Sequence, residues 1–186
     1  MPPTYPGASQ SEAALQLAAV RALNILDTPR DPSFDRLVFT AAQLFRVPTA
    51  ALSVLDEERV WYKARVGLTQ QSIDRAVAFC NLAIRQPAPL VVEDATMDPR
   101  FHDNPLLGGA GIRFYAGAPV LAPERLCARL GAAGPVPVGV LCVMDRRRRV
   151  VTTGQVAHLV QLAREAQALL AALDASAFTD RDYWPS

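Results

Sequence analysis

From Ser11 onward apolar residues recur three and four positions apart. Leu15, Ala18, Ala19, Ala22, Leu23 and Leu26 fall on one side of a helix read over residues 11–26. Asp27-Thr28-Pro29 ends it, because the residue before a proline is pushed out of the helical region. A second helix is expected from about Ser33 to Phe45, opened by Asp31-Pro32-Ser33, with Phe34, Leu37, Val38, Ala41, Leu44 and Phe45 inward. The period then shortens. Residues 49–55 form a short apolar run closed by Asp56-Glu57-Glu58, and residues 60–66 alternate up to Gly67, so the two read as a β-hairpin. Residues 71–85 return to helical spacing, with Ile73, Val77, Cys80 and Ile84 along one side.

Pro87 and Pro89 lead into a short strand over residues 90–93. Residues 94–111 are rich in turn formers and leave room for one short helix; a segment of that length in a small domain is usually functional or mobile. Strands are read over 112–121 and 136–145, joined by the Pro/Gly/Ala-rich residues 122–135. A last helix covers about residues 153–173, and its apolar stripe is wider than one sheet face requires, leaving surface for another helix. Short hairpin links imply an antiparallel sheet flanked by helices from both chain ends, an α/β (α+β) layered domain. The division expected is an arm over 1–10, one domain over 11–174 and a tail over 175–186.

A chain of 186 residues with 51% hydrophobic content suits one packed domain. Its net charge of +1 offers no field of one sign for nucleic acid or an anionic membrane. No apolar run approaches the ~20 residues of a spanning helix. The opening MPPTYPGASQ has no basic segment of the secretory kind, so a cytoplasmic protein with reduced thiols is expected. The run Arg146–Arg149 reads as a solvated turn after a strand. Cys80, Cys127 and Cys142 lack paired spacing, and His102 and His158 cluster with none of them, which argues against zinc.

Several segments, taken in order, carry a resemblance to a known family. They are Arg21-Ala-Leu-Asn-Ile-Leu-Asp-Thr-Pro29, Phe34-Asp-Arg-Leu37, residues 54–63 with Trp61-Tyr62, Phe79-Cys80, residues 92–101, Asn104-Pro105, residues 112–119 and Gly139-Val-Leu-Cys-Val-Met-Asp145. The chain resembles a GAF domain from about Ala14 to Leu173. The resemblance implies a central antiparallel sheet of five or six strands. The first and last helices would cover one face, with loops and short helices over a pocket on the other.

On that layout Trp61, Phe79, Cys80, Phe101, Phe114 and Tyr115 are candidates to line the pocket, with Asp94, Asp98, Asn104, Arg113 and Asp145 as polar contributors. Alternation sets Arg113 and Phe114 on opposite faces. Cys80 reads as a small buried hydrophobe, because the position two residues on, where relatives often carry histidine, is Leu82. Cys127, in an expected loop, reads as the thiol most open to oxidation. Asp145 caps the turn after its strand or faces the pocket mouth.

The resemblance implies a non-catalytic sensory module for an unknown small molecule, with no resident cofactor or metal. It would signal to a separate protein or a homodimer through residues 11–26 and 153–173, without nucleic acid or membrane. The alternatives are a cysteine-dependent reductase of free methionine sulfoxide and a haem or bilin sensor.

Overall fold

Among the described residues six strands pair throughout in antiparallel fashion: β1 (Thr49–Leu55), β2 (Arg59–Val66), β3 (Ser72–Asp74), β4 (Leu90–Val92), β5 (Phe114–Leu121) and β6 (Pro137–Asp145). Their order across the sheet is β3-β2-β1-β6-β5-β4. The structure is a computed structural model and describes the backbone of residues 10–179 and the side chains of residues 10–175. The expected arm therefore lies, but for Gln10, outside the described residues, as does the end of the tail.

The helices are α1 (Gln10–Leu23), α2 (Pro32–Phe45), α3 (Cys80–Ala83), α4 (Pro105–Gly108), α5 (Glu124–Arg129) and α6 (Thr153–Thr179). α2 starts where its residues dictate. Asp31 Oδ1 accepts from the Ser33 amide at 2.8 Å, and Pro32 occupies the first turn, where its missing N–H costs nothing. α1 stops at Leu23, before the expected Leu26, because Asn24 and Asp27 take left-handed backbone angles (φ 49° and 58°), which their short polar side chains tolerate.

Two expectations are corrected. Residues 71–85 are not one helix: Ser72–Asp74 pair with β2, Ile73 opposite Val60, and only Cys80–Ala83 are helical. The exposed edge of β2 offers ladder hydrogen bonds that outweigh the local spacing. Asp74 Oδ1 then takes the Ala76 amide at 2.7 Å and turns the chain away. The link between β5 and β6 is also more ordered than expected. It holds α5, whose Arg129 pairs with the buried Asp174 of α6 at 3.0 Å.

α1, α2 and α6 cover one sheet face. There Val20, Phe34, Val38, Trp61, Phe114, Leu141, Leu159 and Ala166 form the larger core. The smaller core lies on the other face, where Tyr62, Phe79, Cys80, Phe101, Tyr115, Val140 and Cys142 pack beneath α3 and the segment after β4.

Candidate functional site

Strand alternation decides which sequence candidates can meet. Phe114 and Tyr115 are neighbours on β5, so they face opposite layers, as do Trp61 and Tyr62 on β2. Trp61 and Phe114 belong to the helix-side core, with the Phe114 ring 6.3 Å from that of Phe45, and do not join the other candidates. Phe79, Cys80, Phe101 and Tyr115 do come together. The Phe79 ring lies 4.3 Å from Phe101 and meets Tyr115 edge-on at 5.4 Å. All four are at most 5% exposed, so the space expected to hold a ligand is filled by their side chains.

Each polar candidate has a partner within the chain, and of them only the side chains of Asp94 and Arg113 bind each other. Asp94 binds the Arg113 guanidinium and accepts from the Thr96 hydroxyl at 2.7 Å, which draws its carboxyl down to about 2. Asp98 holds Arg100, with contacts of 2.9 and 2.5 Å. Asn104 caps α4 by accepting from the Leu106 amide at 2.9 Å, and donates to the Val77 carbonyl at 2.8 Å. Asp145 takes the Arg147 amide at 3.1 Å and Arg149 Nε at 2.7 Å, so it caps the turn after β6. The Asp94–Arg113 pair and the Asn104 bond to Val77 tie the 94–111 segment to its neighbours.

The thiols are arranged differently from expectation. Cys127 lies in α5 and is buried in the helix-side core, not exposed in a loop, because the link around it is helical. Cys80 and Cys142 sit with sulfurs 3.8 Å apart under the cover. The Tyr115 hydroxyl donates to Cys80 Sγ at 3.4 Å, and Cys142 Sγ donates to the Ala51 carbonyl at 3.5 Å. Hydrogen bonding with Cys142, aided by Ser53 and Tyr115, draws the Cys80 thiol down against the opposing effect of burial. The Cys142 thiol is pushed up by Cys80 and by burial. His102 and His158 are exposed and bond locally, to Pro99 and Gly154 carbonyls. Among the described residues no group of three or more His, Cys, Asp or Glu is placed to hold a metal.

A cavity of about 920 Å³ lies elsewhere. It opens at the end of the sheet where β5 stops and β6 begins. Gln16 of α1, Arg75, Arg85, Pro119, Pro137 and Arg164 of α6 contribute to its wall. Arg75 is tied into place: Nη1 donates to the Asp56 carbonyl at 2.6 Å, Nε to Asn81 at 3.2 Å and Nη2 to Gln16 at 3.2 Å. Sequence reading missed this site. One signal was available, since Gln16 is a polar residue beside the apolar stripe of α1, and it is buried with its amide on the Leu55 carbonyl at 2.7 Å. A shallower groove of about 570 Å³ runs beside Glu93, Asp94, Met97 and Arg100.

A layered domain with an antiparallel sheet, terminal helices on one face and short elements on the other defines a class shared by many regulatory proteins. The chain belongs to the GAF domain family, whose pattern matches residues 29–170. It is 36% identical over 180 residues to the cyclic di-GMP phosphodiesterase PA2567 of Pseudomonas aeruginosa, covering 96% of this chain and 28% of that protein's length. The fold is similar to the blue-light absorbing form of the Thermosynechococcus elongatus PixJ GAF domain (TM-score 0.61, 16% identity, 95% and 97% of the two chains). It is also similar to the free methionine-R-sulfoxide reductase of Neisseria meningitidis (TM-score 0.58, 14% identity, 95% and 99%). Among the described residues no helix is long and apolar enough to cross a membrane.

Proposed function

We propose that the chain acts as a non-catalytic sensory module that binds a small molecule in the cavity at the open end of the sheet and passes its occupancy to α1 and α6. The carrying observation is that one cavity is walled by both terminal helices and by the link between α3 and β4. A ligand there gains or loses contacts whenever the helices shift, which is the differential affinity that coupling requires. Packing at the thiols supports a role without turnover. A thiol enzyme must bring substrate to sulfur, whereas Phe79, Phe101 and Tyr115 pack around Cys80, which is 5% exposed.

Native mass spectrometry of freshly purified protein tests the reading. The expected result is a retained small molecule that is lost in Ala13→Trp, a substitution that fills the cavity from α1. A bare chain mass, with hydrogen exchange in α1 and α6 unchanged by the small-molecule fraction of a cell extract, overturns it.

A further inference from the structure

We infer that Cys80 and Cys142 form a paired modification site, which a hydroperoxide converts into a disulfide stapling the α3 segment to strand β6. The two residues are 62 positions apart in sequence, yet the fold sets their sulfurs 3.8 Å from each other. A bond needs an approach to ~2 Å, and the partner able to move is Cys80. It opens α3, a four-residue turn with no side-chain cap, whereas Cys142 is fixed between β1 and β5.

The surroundings divide the roles. The Tyr115 hydroxyl donates to Cys80 Sγ and stabilises it as thiolate, which makes it the attacking sulfur. Cys142 Sγ keeps its proton on the Ala51 carbonyl and serves as the resolving thiol. The close contact with Cys80 first, then burial, pushes the Cys142 thiol up, while that same contact and the Tyr115 hydroxyl help draw Cys80 down, so the two titrate apart.

In the first step Cys80 sulfur attacks one peroxide oxygen. The O–O bond breaks, its electron pair leaves on the second oxygen, and that oxygen takes the proton Cys80 has lost. Cys80 is now a sulfenic acid. Cys142 sulfur then attacks Cys80 sulfur, the S–OH bond breaks, and the departing hydroxide leaves as water with the Cys142 proton. Two thiols have lost two electrons, and the hydroperoxide has been reduced.

Neither sulfur is open to solvent, at 5% and 0% exposure, so the reaction waits on local opening of α3 and is slow. Cys127 lies across the sheet in the other core. The disulfide also reaches the cavity, because Leu82, Ile84 and Arg85 of the stapled segment contribute to its wall.

The test treats the folded full chain with hydrogen peroxide, alkylates it under denaturing conditions without reductant, and maps the peptides. Free thiols should fall from three to one. A linked pair should join Cys80 to Cys142, Cys127 should be alkylated, and dithiothreitol should reverse the change. In Cys142→Ser, dimedone should trap a sulfenic acid at Cys80; Cys127→Ser should behave as wild type. Three free thiols after exposure, a link through Cys127, or overoxidation of Cys80 in wild type to the extent seen in Cys142→Ser overturns the proposal. The wild-type map decides alone if a serine variant folds poorly.

Discussion

Gly117 shows how one missing side chain shapes a core. It stands opposite Cys142 on β6, and a Cβ there would lie 2.4 Å from the Tyr115 hydroxyl and 2.8 Å from Val140 Cγ1. The absent methyl is what lets Tyr115 lean across β5 to Cys80. Gly117→Ala should therefore destabilise the fold by about 1–3 kcal/mol in urea unfolding and slow the peroxide reaction, since the displaced hydroxyl no longer supports the thiolate. Phe114 is the contrasting case, fully buried on the helix side. Phe114→Ala should cost ~3–5 kcal/mol by the same measurement, because the space around it cannot collapse. Trp61 shares that layer with its Nε1 lacking a hydrogen-bond partner. A buried donor without an acceptor offsets part of what the ring's packing contributes, so Trp61→Phe should be far milder than Trp61→Ala.

Among the elements, the segment after β4 is held by charge as well as by packing. Arg113 first, then Thr96, draws the Asp94 carboxyl to about 2, below the ~3.9 of an unfolded chain. A depressed carboxylate stabilises the fold above pH ~4, and that contribution is lost as pH falls through ~2. Hydrogen exchange at the Ala95 amide, which donates to the Arg113 carbonyl, should accelerate across that window, and Asp94→Asn should flatten the response.

Long elements were legible in the sequence because their period repeats over many residues: α2, β1 and β6 stand within a residue of where the pattern sets them. β3 was not, since three residues carry no period and their pairing depends on a distant strand. The site was less legible for a related reason. Alternation separates Phe114 from Tyr115, but only strand register and the covering helices say which face each aromatic meets. The cavity is lined by six separated stretches of chain, and no local pattern joins them.

For the whole molecule, much of the α6 stripe is consumed internally. Leu159, Leu162, Ala163, Ala166 and Leu170 are buried in the core shared with α2 and β5. What remains outward includes Ala157, Ala168 and Ala172, small enough for close approach of a second helix. Light scattering at micromolar concentration should report a dimer, and Ala168→Arg should return it to monomer with an unchanged melting temperature. A monomer for both would remove the helices as a route between copies.

Arg75 is a three-way knot. Its guanidinium fastens α1, the β1–β2 turn and the residue next to Cys80, so a tug on any of these strings pulls the others. Cutting it with Arg75→Met should loosen α3 and quicken the sulfur chemistry beneath it, while α1 ceases to register the change, separating the ear from the nerve.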